Sequence, residues 1–490
     1  MRYSKVDSIN KITFLNRLPS KKEKFLSKII ELDQHKQLLL LALPMILSNI
    51  TVPLLGLVDT AVIGHLPHAY FLGGSTIGAM IITSVIWLCG FLRMSTTGLS
   101  AQAFGENNND KNLLVLFRGI SVAFVLGLIL ILVQTPFING ALHLAGGSEK
   151  IQLYARQYSE IRLWGFPAAL ANLTILGWLI GNHQTKTVMW LLIVTNLINV
   201  CLDLLFVFVF HWQVQGVAFA TLIAEYSGMF LGLSLITLRY KASIVAFFIS
   251  SKHKSDHFLT FLFAPLFASL LEKASLSIYF TLNRDILIRT LCLEACFIFI
   301  TFQGAKLGDN VVAANAILLN FLLLISFGLD GIANATEAIV GKAWGKRDFN
   351  TLKNTVNIAL LWTAIFALSY SLLFAFVGKS LLLLISDIPS VVDYAEKYLS
   401  WMVWLPIAAC WCYLFDGVYV GMMKAKVMRN SMIIATFGCF FPVWWLLNST
   451  LSPEYSNHAL WAAFLVFMLA RGITLAWHFR VNVLNSQGEN

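Results

Sequence analysis

The sequence predicts an all-α polytopic membrane protein, in which twelve transmembrane helices form two parallel six-helix repeats. Three observations predict this fold: the composition, a series of apolar segments of membrane-spanning length, and an internal repeat. Of the 490 residues, 58% are hydrophobic and 12% are charged, and the mean hydropathy is +0.74. A soluble protein of this length is far more polar.

Twelve apolar runs lie near the length of about 20 residues that a helix needs to cross a bilayer. The predicted spans are 38–63, 74–97, 113–135, 157–180, 188–211, 216–238, 285–306, 313–337, 354–377, 398–421, 431–450 and 459–479. Gly and Pro interrupt several of them, which transmembrane helices tolerate when neighbours satisfy the freed backbone groups.

The internal repeat has a constant offset of 240 residues and runs without gaps over more than 100 residues. Apolar composition does not explain it, because glycine, tryptophan and tyrosine take part. Matched pairs include Gly64 with Gly304, Tyr158 with Tyr398, Trp164 with Trp404, Gly177 with Gly417, and Gly181 with Gly421. Six spans per repeat place both halves in the same orientation, and a duplicated membrane chain is typical of transporters. The G-x-x-x-G pairs are expected to allow close helix packing.

Five parts follow from these boundaries. They are a basic N-terminal extension (1–36), an N-lobe (37–238), a connector between the lobes (239–284), a C-lobe (285–480) and a tail (481–490). The extension has nine Lys or Arg and no sustained apolar run, so it is no cleavable signal peptide. The connector's apolar stretch 258–271 is too short to span, and we expect a helix on the membrane or at the lobe junction.

Charge placement predicts the orientation. Fifteen Lys or Arg lie in loops on the side of the N-terminus, and five lie in the opposite loops. By the positive-inside rule both termini are cytoplasmic, and the extension, the connector and the tail with them. The net charge of +10 reflects this asymmetry, so no nucleic-acid partner is expected.

Enzymatic and metal chemistry find no support in the motifs. The seven cysteines all lie in apolar spans, where a reduced cysteine behaves as a small hydrophobe. No zinc-protease motif, nucleophile elbow or phosphate-binding loop occurs. We therefore expect no enzyme activity, no metal centre and no cofactor other than a coupling ion.

Polar residues inside the N-lobe spans form the first candidate site. A carboxylate at mid-bilayer costs roughly 2.5–3.5 kcal/mol, so each needs a reason. Asn199 precedes Asp203 by one turn, and the short connection between the fifth and sixth spans places Asp203 and Thr221 at one depth. With Asp59 of the first span, they suit a proton or small-cation site. The alternative is a buried polar network that only fastens three helices.

The second half does not repeat these acids, since Asp59 corresponds to Phe299 and Asp203 to Val443. It has its own intramembrane acids, which are Glu294, Asp330, Glu337 and Asp416. We expect Arg289 to pair with Asp285 or with acids near the lobe junction, and Arg93 to be a salt-bridge partner within the bundle. Glu337 is expected close enough to the cytoplasmic end to be solvated.

Five motifs then carry a resemblance to a known family. They are Leu43-Pro44 with the run 56–64 (GLVDTAVIG), the run 90–103 (GFLRMSTTGLSAQA), the run 282–289 (LNRDILIR), Asp416-Gly417, and the run 457–461 (NHALW). In combination they resemble the multidrug and toxic compound extrusion (MATE) family, and its DinF-like branch in particular. The likeness covers residues 36–480.

The resemblance implies two six-helix bundles around a V-shaped cavity, with export of amphipathic, often cationic compounds by alternating access. The exchanged ion in the family is H⁺ or Na⁺. The family's N-lobe cation site matches Asp59, Asn199, Asp203 and Thr221, whereas the acidic pair of another branch falls on Glu294 and Asp416. We favour H⁺ because the N-lobe set is complete; Na⁺ coupling is the alternative.

The 240-residue duplication predicts a monomer, because one chain already supplies both halves that a dimer would otherwise provide. The expected setting is a bacterial inner membrane, with small organic substrates and membrane lipids as partners. A lipid-linked precursor flippase of the same superfamily is a further alternative. It is expected to line its cavity with more cations than the six candidates here, which are Arg93, Arg162, Lys273, Arg284, Arg289 and Arg471.

Overall fold

The computed structural model describes residues 21–484 except 65, 147, 253–272 and 386–387. These residues are helical nearly throughout, and no β-strand occurs among them. The first half contains α1 (Lys21–Gly64), α2 (Ala69–Leu88), α3 (Phe91–Gly105), α4 (Asn109–Leu132), α5 (Gln134–Ala145), α6 (Glu149–Leu163), α7 (Phe166–Gly181), α8 (Thr185–Leu204), α9 (Gln213–Arg239) and α10 (Lys241–Lys252). The second half contains α11 (Lys273–Lys306), α12 (Asp309–Gly345), α13 (Phe349–Ile385), α14 (Pro389–Gly421), α15 (Ala425–Ile433), α16 (Phe441–Thr450) and α17 (Ser456–Phe479).

Several predicted spans consist of two consecutive helices. The second span is α2 followed by α3, with a turn at Cys89 and Gly90. The fourth is α6 followed by α7, which meet at an angle of 55°. Pro167 stands at the start of α7, where its missing N–H costs no hydrogen bond and its fixed φ suits a new helix.

Among the described residues, nine helices are long and apolar enough to cross a membrane, or ten if the bent pair α6–α7 counts as one span. Large apolar side chains cover the outer surface, including Phe376 at 83% exposure and Leu132 at 75%, as expected for a surface in lipid. The predicted all-helical membrane fold is thereby confirmed. The count of twelve spans fits the arrangement but stays a prediction.

Helix α1 differs from its prediction. It begins at Lys21 and runs unbroken to Gly64, so residues 21–36 of the predicted N-terminal extension belong to the first helix. This segment is rich in Lys, Glu and Leu, which favour helix when no glycine or proline intervenes. The apolar stretch 258–271 of the connector, residues 1–20 and residues 485–490 lie outside the described residues, and the domain boundaries stay a prediction.

Each half has its own hydrophobic core. Trp178 and Phe166 are fully buried in the first half, and Trp461 and Phe464 in the second. In both cores, neighbouring helices pack closely at glycines that are related by the repeat. A Cβ on Gly177 would lie 2.5 Å from the carbonyl oxygen of Arg93, and the equivalent Gly417 meets a backbone carbonyl in the same way. The predicted packing role of these glycines is confirmed.

Candidate functional site

The N-lobe brings Asp59 of α1 and Asp203 of α8 together. Their carboxyl groups lie within hydrogen-bonding range of each other. Asp203 is 0% exposed, and Asn199, one turn earlier on the same helix, is 1% exposed. The hydrogen-bond pattern of α8 changes to a π-helical turn at Leu205–Val209, which begins two residues after Asp203. Such turns frequently occur at functional sites.

The polar atoms of this N-lobe acid pair are unusual for a buried site. Oδ1 of Asp59, both carboxyl oxygens of Asp203 and both side-chain polar atoms of Asn199 have no hydrogen-bond partner among the described residues. Buried polar groups are nearly always satisfied, because an unsatisfied one costs free energy. The fourth predicted member, Thr221, is half-buried, and its hydroxyl donates to Val217 O within its own helix at 3.0 Å.

A buried ion pair that the sequence analysis missed adjoins the acid pair. Arg162 of α6 holds Glu225 of α9 through two hydrogen bonds of 2.7 and 2.8 Å. Arg162 also interacts electrostatically with Asp59, and Tyr158 lies among these groups. From the sequence, Arg162 was predicted only as one of six cations that could line the cavity. Glu225 was overlooked, although an acidic residue inside the predicted span 216–238 indicates a functional or paired group.

The C-lobe arranges its charges differently. Asp416 of α14 accepts hydrogen bonds from Arg289 of α11 and from Arg471 of α17, the latter at 2.7 Å. Arg289 therefore pairs with an acid near the lobe junction, as one of the two expectations had it. The other expected partner, Asp285, is bound by Arg284 at 3.1 Å and Arg429 at 2.7 Å.

Arg93 of α3 reaches from the N-lobe into the C-lobe. Its Nη1 donates to Asn334 Oδ1 of α12 at 2.9 Å, and it interacts electrostatically with Asp330 and Glu337 of the same helix. The expectation that Glu337 is solvated is wrong, since the residue is 2% exposed. Helix α3 packs over α12 there, and Thr97 of α3 lies within hydrogen-bonding range of Glu337.

Between the lobes lies a cavity of about 570 Å³. Four carboxylates and three guanidinium groups line it, which are those of Glu294, Asp330, Glu337, Asp416, Arg93, Arg289 and Arg471. Aromatic walls face them, with the rings of Trp87 and Phe297 6.4 Å apart between centroids. Glu294 has no ion pair or hydrogen bond among the described residues. Asp59 and Asp203 do not line this cavity, so the two predicted ion sites occupy separate places.

At the end of the molecule that carries the basic loops, the lobes close against each other. A Cβ on Gly105 would overlap the carbonyl of Lys342, and a Cβ on Gly345 would overlap the carbonyl of Gln102. These two contacts are related by the 240-residue repeat. Gln102 also donates to Gly421 O at 2.9 Å. We call this contact surface, formed by Gln102 and Gly105 with Lys342, Gly345 and Gly421, the inter-lobe seam.

His183, in the turn between α7 and α8, adds a hydrogen bond beside the inter-lobe seam. Its Nε2 donates to Ala338 O of the C-lobe at 3.2 Å. Burial, and then the positive charge of Lys342, lowers the pKa of His183 to about 4. The ring is therefore neutral at neutral pH, with one N–H to donate.

Comparison with known proteins follows the same division into halves. The family model described as MatE matches residues 44–205 and 286–446, which together make up more than half of the chain. The chain belongs to the MatE family. The first matched segment contains Asp59 and Asp203, and the second contains Glu294, Asp330 and Asp416.

Individual relatives support the assignment over nearly the whole MatE chain. It is 41% identical over 444 residues to "DNA damage-inducible protein F" of Escherichia coli K12, covering 91% of this chain and 92% of that protein. It is 24% identical over 459 residues to "Probable multidrug resistance protein NorM" of Xylella fastidiosa strain Temecula1, covering 90% and 91%. A crystal structure of the Vibrio cholerae MATE transporter VcmN in the bent form superposes with a TM-score of 0.78 at 21% identity, covering 94% and 99%. This multi-span MatE protein is therefore a transporter and not an enzyme.

Proposed function

We propose that this MatE transporter exports amphipathic organic cations in exchange for protons, and that Asp59 and Asp203 hold the coupling proton. The observation that carries the proposal is the buried contact of these two carboxyl groups, whose oxygens have no cationic hydrogen-bond donor among the described residues. Two carboxylates in a dry site do not both stay ionised, so the pair takes up a shared proton.

The choice of H⁺ over Na⁺ rests on the two lobes together. Sodium favours a cage of several oxygen ligands, and in the N-lobe Thr221 spends its hydroxyl hydrogen inside its own helix. In the C-lobe, Asp416 of the predicted alternative pair is already neutralised by Arg289 and Arg471. The N-lobe offers two facing carboxyl groups, which is enough for a shared proton but fewer ligands than sodium favours.

The substrate class follows from the cavity. Its carboxylates outnumber its guanidinium groups by one. Asp416 is held by two arginines, and Asp330 and Glu337 interact electrostatically with Arg93, whereas no such interaction with a cation is found for Glu294 among the described residues. Beside it stand Trp87 and Phe297, and aromatic faces attract cations. A flippase for lipid-linked anions is disfavoured, because four carboxylates outnumber the three guanidinium groups that line the cavity. A relative named as a probable multidrug resistance protein agrees with organic substrates.

Helix α1 is the element that links proton and substrate. It carries Asp59 and also contacts the C-lobe, where Asn49 donates to Phe327 O of α12 at 3.0 Å. Pro53 lies between these two points, and an internal proline permits a helix to bend because one backbone hydrogen bond is missing. Protonation at Asp59 then shifts the population of α1 conformations and of lobe arrangements, which is alternating access driven by differential proton affinity.

The proposed setting is a bacterial inner membrane with both termini in the cytoplasm, which follows from the excess of Lys and Arg at the end of the inter-lobe seam. The working unit is a monomer, because the two lobes of one chain supply both walls of the cavity. Cysteine labelling of Lys186→Cys and Lys379→Cys from either side of the membrane tests the orientation.

Proteoliposomes loaded with ethidium, a fluorescent aromatic cation, test the coupling ion. We expect a pH gradient to drive ethidium efflux without Na⁺, and Asp203→Asn to abolish it. A sodium gradient at constant pH should drive none. Robust sodium-driven efflux that is lost in Glu294→Gln but survives in Asp59→Asn reverses the assignment in favour of the C-lobe.

A further inference from the structure

The Arg162–Glu225 ion pair lies deep in the N-lobe and has no part in the cavity. The side chains are 7% and 16% exposed, and both guanidinium NH₂ groups are engaged by Glu225. The glutamate also fills the space in which a Cβ on Gly165 would sit. This glycine, in the break between α6 and α7, therefore leaves room for the Glu225 carboxylate.

Two observations connect this ion pair to the acid pair. Arg162 interacts electrostatically with Asp59, and Tyr158, one turn earlier on α6, lies within reach of Asp59, Arg162 and Glu225. In addition, Nε of Arg162 is buried without a hydrogen-bond partner among the described residues, as is Oδ1 of Asp59. An unused donor and an unused acceptor thus occur on two residues that already attract each other.

In the described part of the chain, the charged and titratable groups that act on the acid pair come from two helices. They are Arg162 and Tyr158 of α6, with Glu225 of α9 acting through its contact to Arg162. Glu225 offsets most of the field of Arg162, because opposite charges in a bidentate pair cancel at a distance. The acid pair therefore experiences a cation whose strength depends on how closely Glu225 holds it.

We propose that Arg162 and Glu225 are positioning residues that set the pH at which the Asp59–Asp203 pair releases its proton. This inference rests on the proposed function, because it presumes that the acid pair carries the coupling proton. While the pair is protonated, Glu225 binds Arg162. When the proton leaves to water, the pair carries two negative charges, and the free Nε–H of Arg162 turns toward Asp59. Arg162 stays a cation and Glu225 a carboxylate throughout this step.

The competing explanation is that the ion pair only fastens α6 to α9. Buried ion pairs contribute little net stability compared with apolar residues of similar volume, so fastening alone does not account for the choice of charged residues. The two explanations predict different shifts in the pH dependence of the variants. A fastener gives variants that lose activity without a directed change in pH dependence, whereas a field effect moves the titration in opposite directions when opposite charges are removed.

The experiment compares Glu225→Gln, Arg162→Gln and the double variant in full-length protein. The readouts are the pH midpoint of the infrared carboxylic-acid band that disappears in Asp203→Asn, and the pH midpoint of ethidium efflux. Glu160→Gln is the matched control, because Glu160 pairs with Arg156 on the same helix but is exposed. Its midpoints should equal those of the unaltered protein.

We expect Glu225→Gln to move both midpoints to lower pH by about one unit, since an uncompensated cation favours the ionised pair. Arg162→Gln should move them to higher pH, by less if Glu225 takes up a proton, and the double variant should return near the unaltered value. Unchanged midpoints, or shifts in one common direction, overturn the inference. If Glu225→Gln does not fold, Arg162→Lys decides: a midpoint kept within about 0.3 units supports a charge effect, and a shift as large as that of Arg162→Gln contradicts it.

Failure of the proposed function is recognised separately. Proton-driven efflux that persists in Asp203→Asn removes the acid pair from coupling, whatever the ion pair does. The ion-pair inference alone is wrong if the infrared band titrates in the unaltered protein and vanishes in Asp203→Asn, but its pH midpoint is the same in Glu225→Gln and Arg162→Gln.

Discussion

This chain has two buried acid sites, one in each lobe, and they have opposite electrostatic character. In the N-lobe, Asp59 and Asp203 face each other with unpartnered oxygens. In the C-lobe, Asp416 is held between Arg289 and Arg471. A carboxylate with two guanidinium partners is committed to structure, whereas one that faces another acid is available to an ion. We propose that this difference separates an ion site in the N-lobe from a structural anchor in the C-lobe.

The repeat shows how this difference is encoded. At the 240-residue offset, Asp416 corresponds to Leu176 and Arg471 to Leu231, just as the N-lobe acids correspond to Phe299 and Val443. The helices and their packing glycines are duplicated, but the charges are not. Backbone positions that are equivalent under the repeat therefore hold side chains of different chemistry.

The largest expected effect comes from removing an acid of the N-lobe pair. Asp203→Asn keeps the shape of the side chain but removes the proton-binding group. We expect proton-driven ethidium efflux to fall to the leak rate of protein-free vesicles, while expression and thermal stability stay unchanged or rise, because a costly buried acid is gone. Transport at more than a tenth of the original rate contradicts the assignment. Thr221→Val serves as the control and should retain most activity.

The second largest effect comes from removing the paired acid of the C-lobe. Asp416→Asn leaves two buried guanidinium groups with one uncharged partner, and removing one member of a buried ion pair costs about 3–5 kcal/mol. We expect a clear fall of Tm in detergent, opposite in direction to Asp203→Asn. If Asp416→Asn is as stable as the unaltered protein, the C-lobe acid is not a structural anchor and the contrast between lobes is wrong.

A smaller effect concerns Glu294, which lines the cavity without an ion-pair partner among the described residues. Glu294→Gln should raise KM for ethidium about tenfold, the loss expected for one charged contact, and leave kcat nearly unchanged. An uncharged aromatic dye should be transported with unaltered KM. Equal effects on charged and uncharged dyes contradict a role in recognising cations.

Much of the architecture was predictable, because apolar run length and the repeat act over long stretches of chain. The lobe division of the acids and the meeting of Asp59 with Asp203 also followed from spacing. The pairings of arginines with acids on distant helices did not follow from spacing. Arg162 meets Glu225 across 63 residues, and sequence spacing contains no term for the angle at which α6 crosses α9. The burial of Glu337 was missed for a related reason, since α3 covers it from the other lobe.

The smallest effect separates the pH dependence of the acid pair from that of His183. The pKa of His183 is lowered from an ordinary 6.5 to about 4 by burial and by Lys342. The unfolded chain therefore binds more protons between these values, and stability falls as the pH drops from 6.5 toward 4. His183→Gln should flatten the fall of Tm in this window without moving the pH midpoint of transport. A shifted transport midpoint assigns part of the coupling to His183.

The inter-lobe seam has a consequence for how the transporter is powered. It is built from glycines against backbone carbonyls, with few hydrogen bonds across it. Parting these surfaces breaks no ion pair among the described residues, so we expect a modest barrier to opening that is insensitive to ionic strength. One pH unit of gradient supplies only about 1.4 kcal/mol per proton. Under the proposed proton coupling, a low barrier at the inter-lobe seam lets a single proton per cycle suffice to part the lobes.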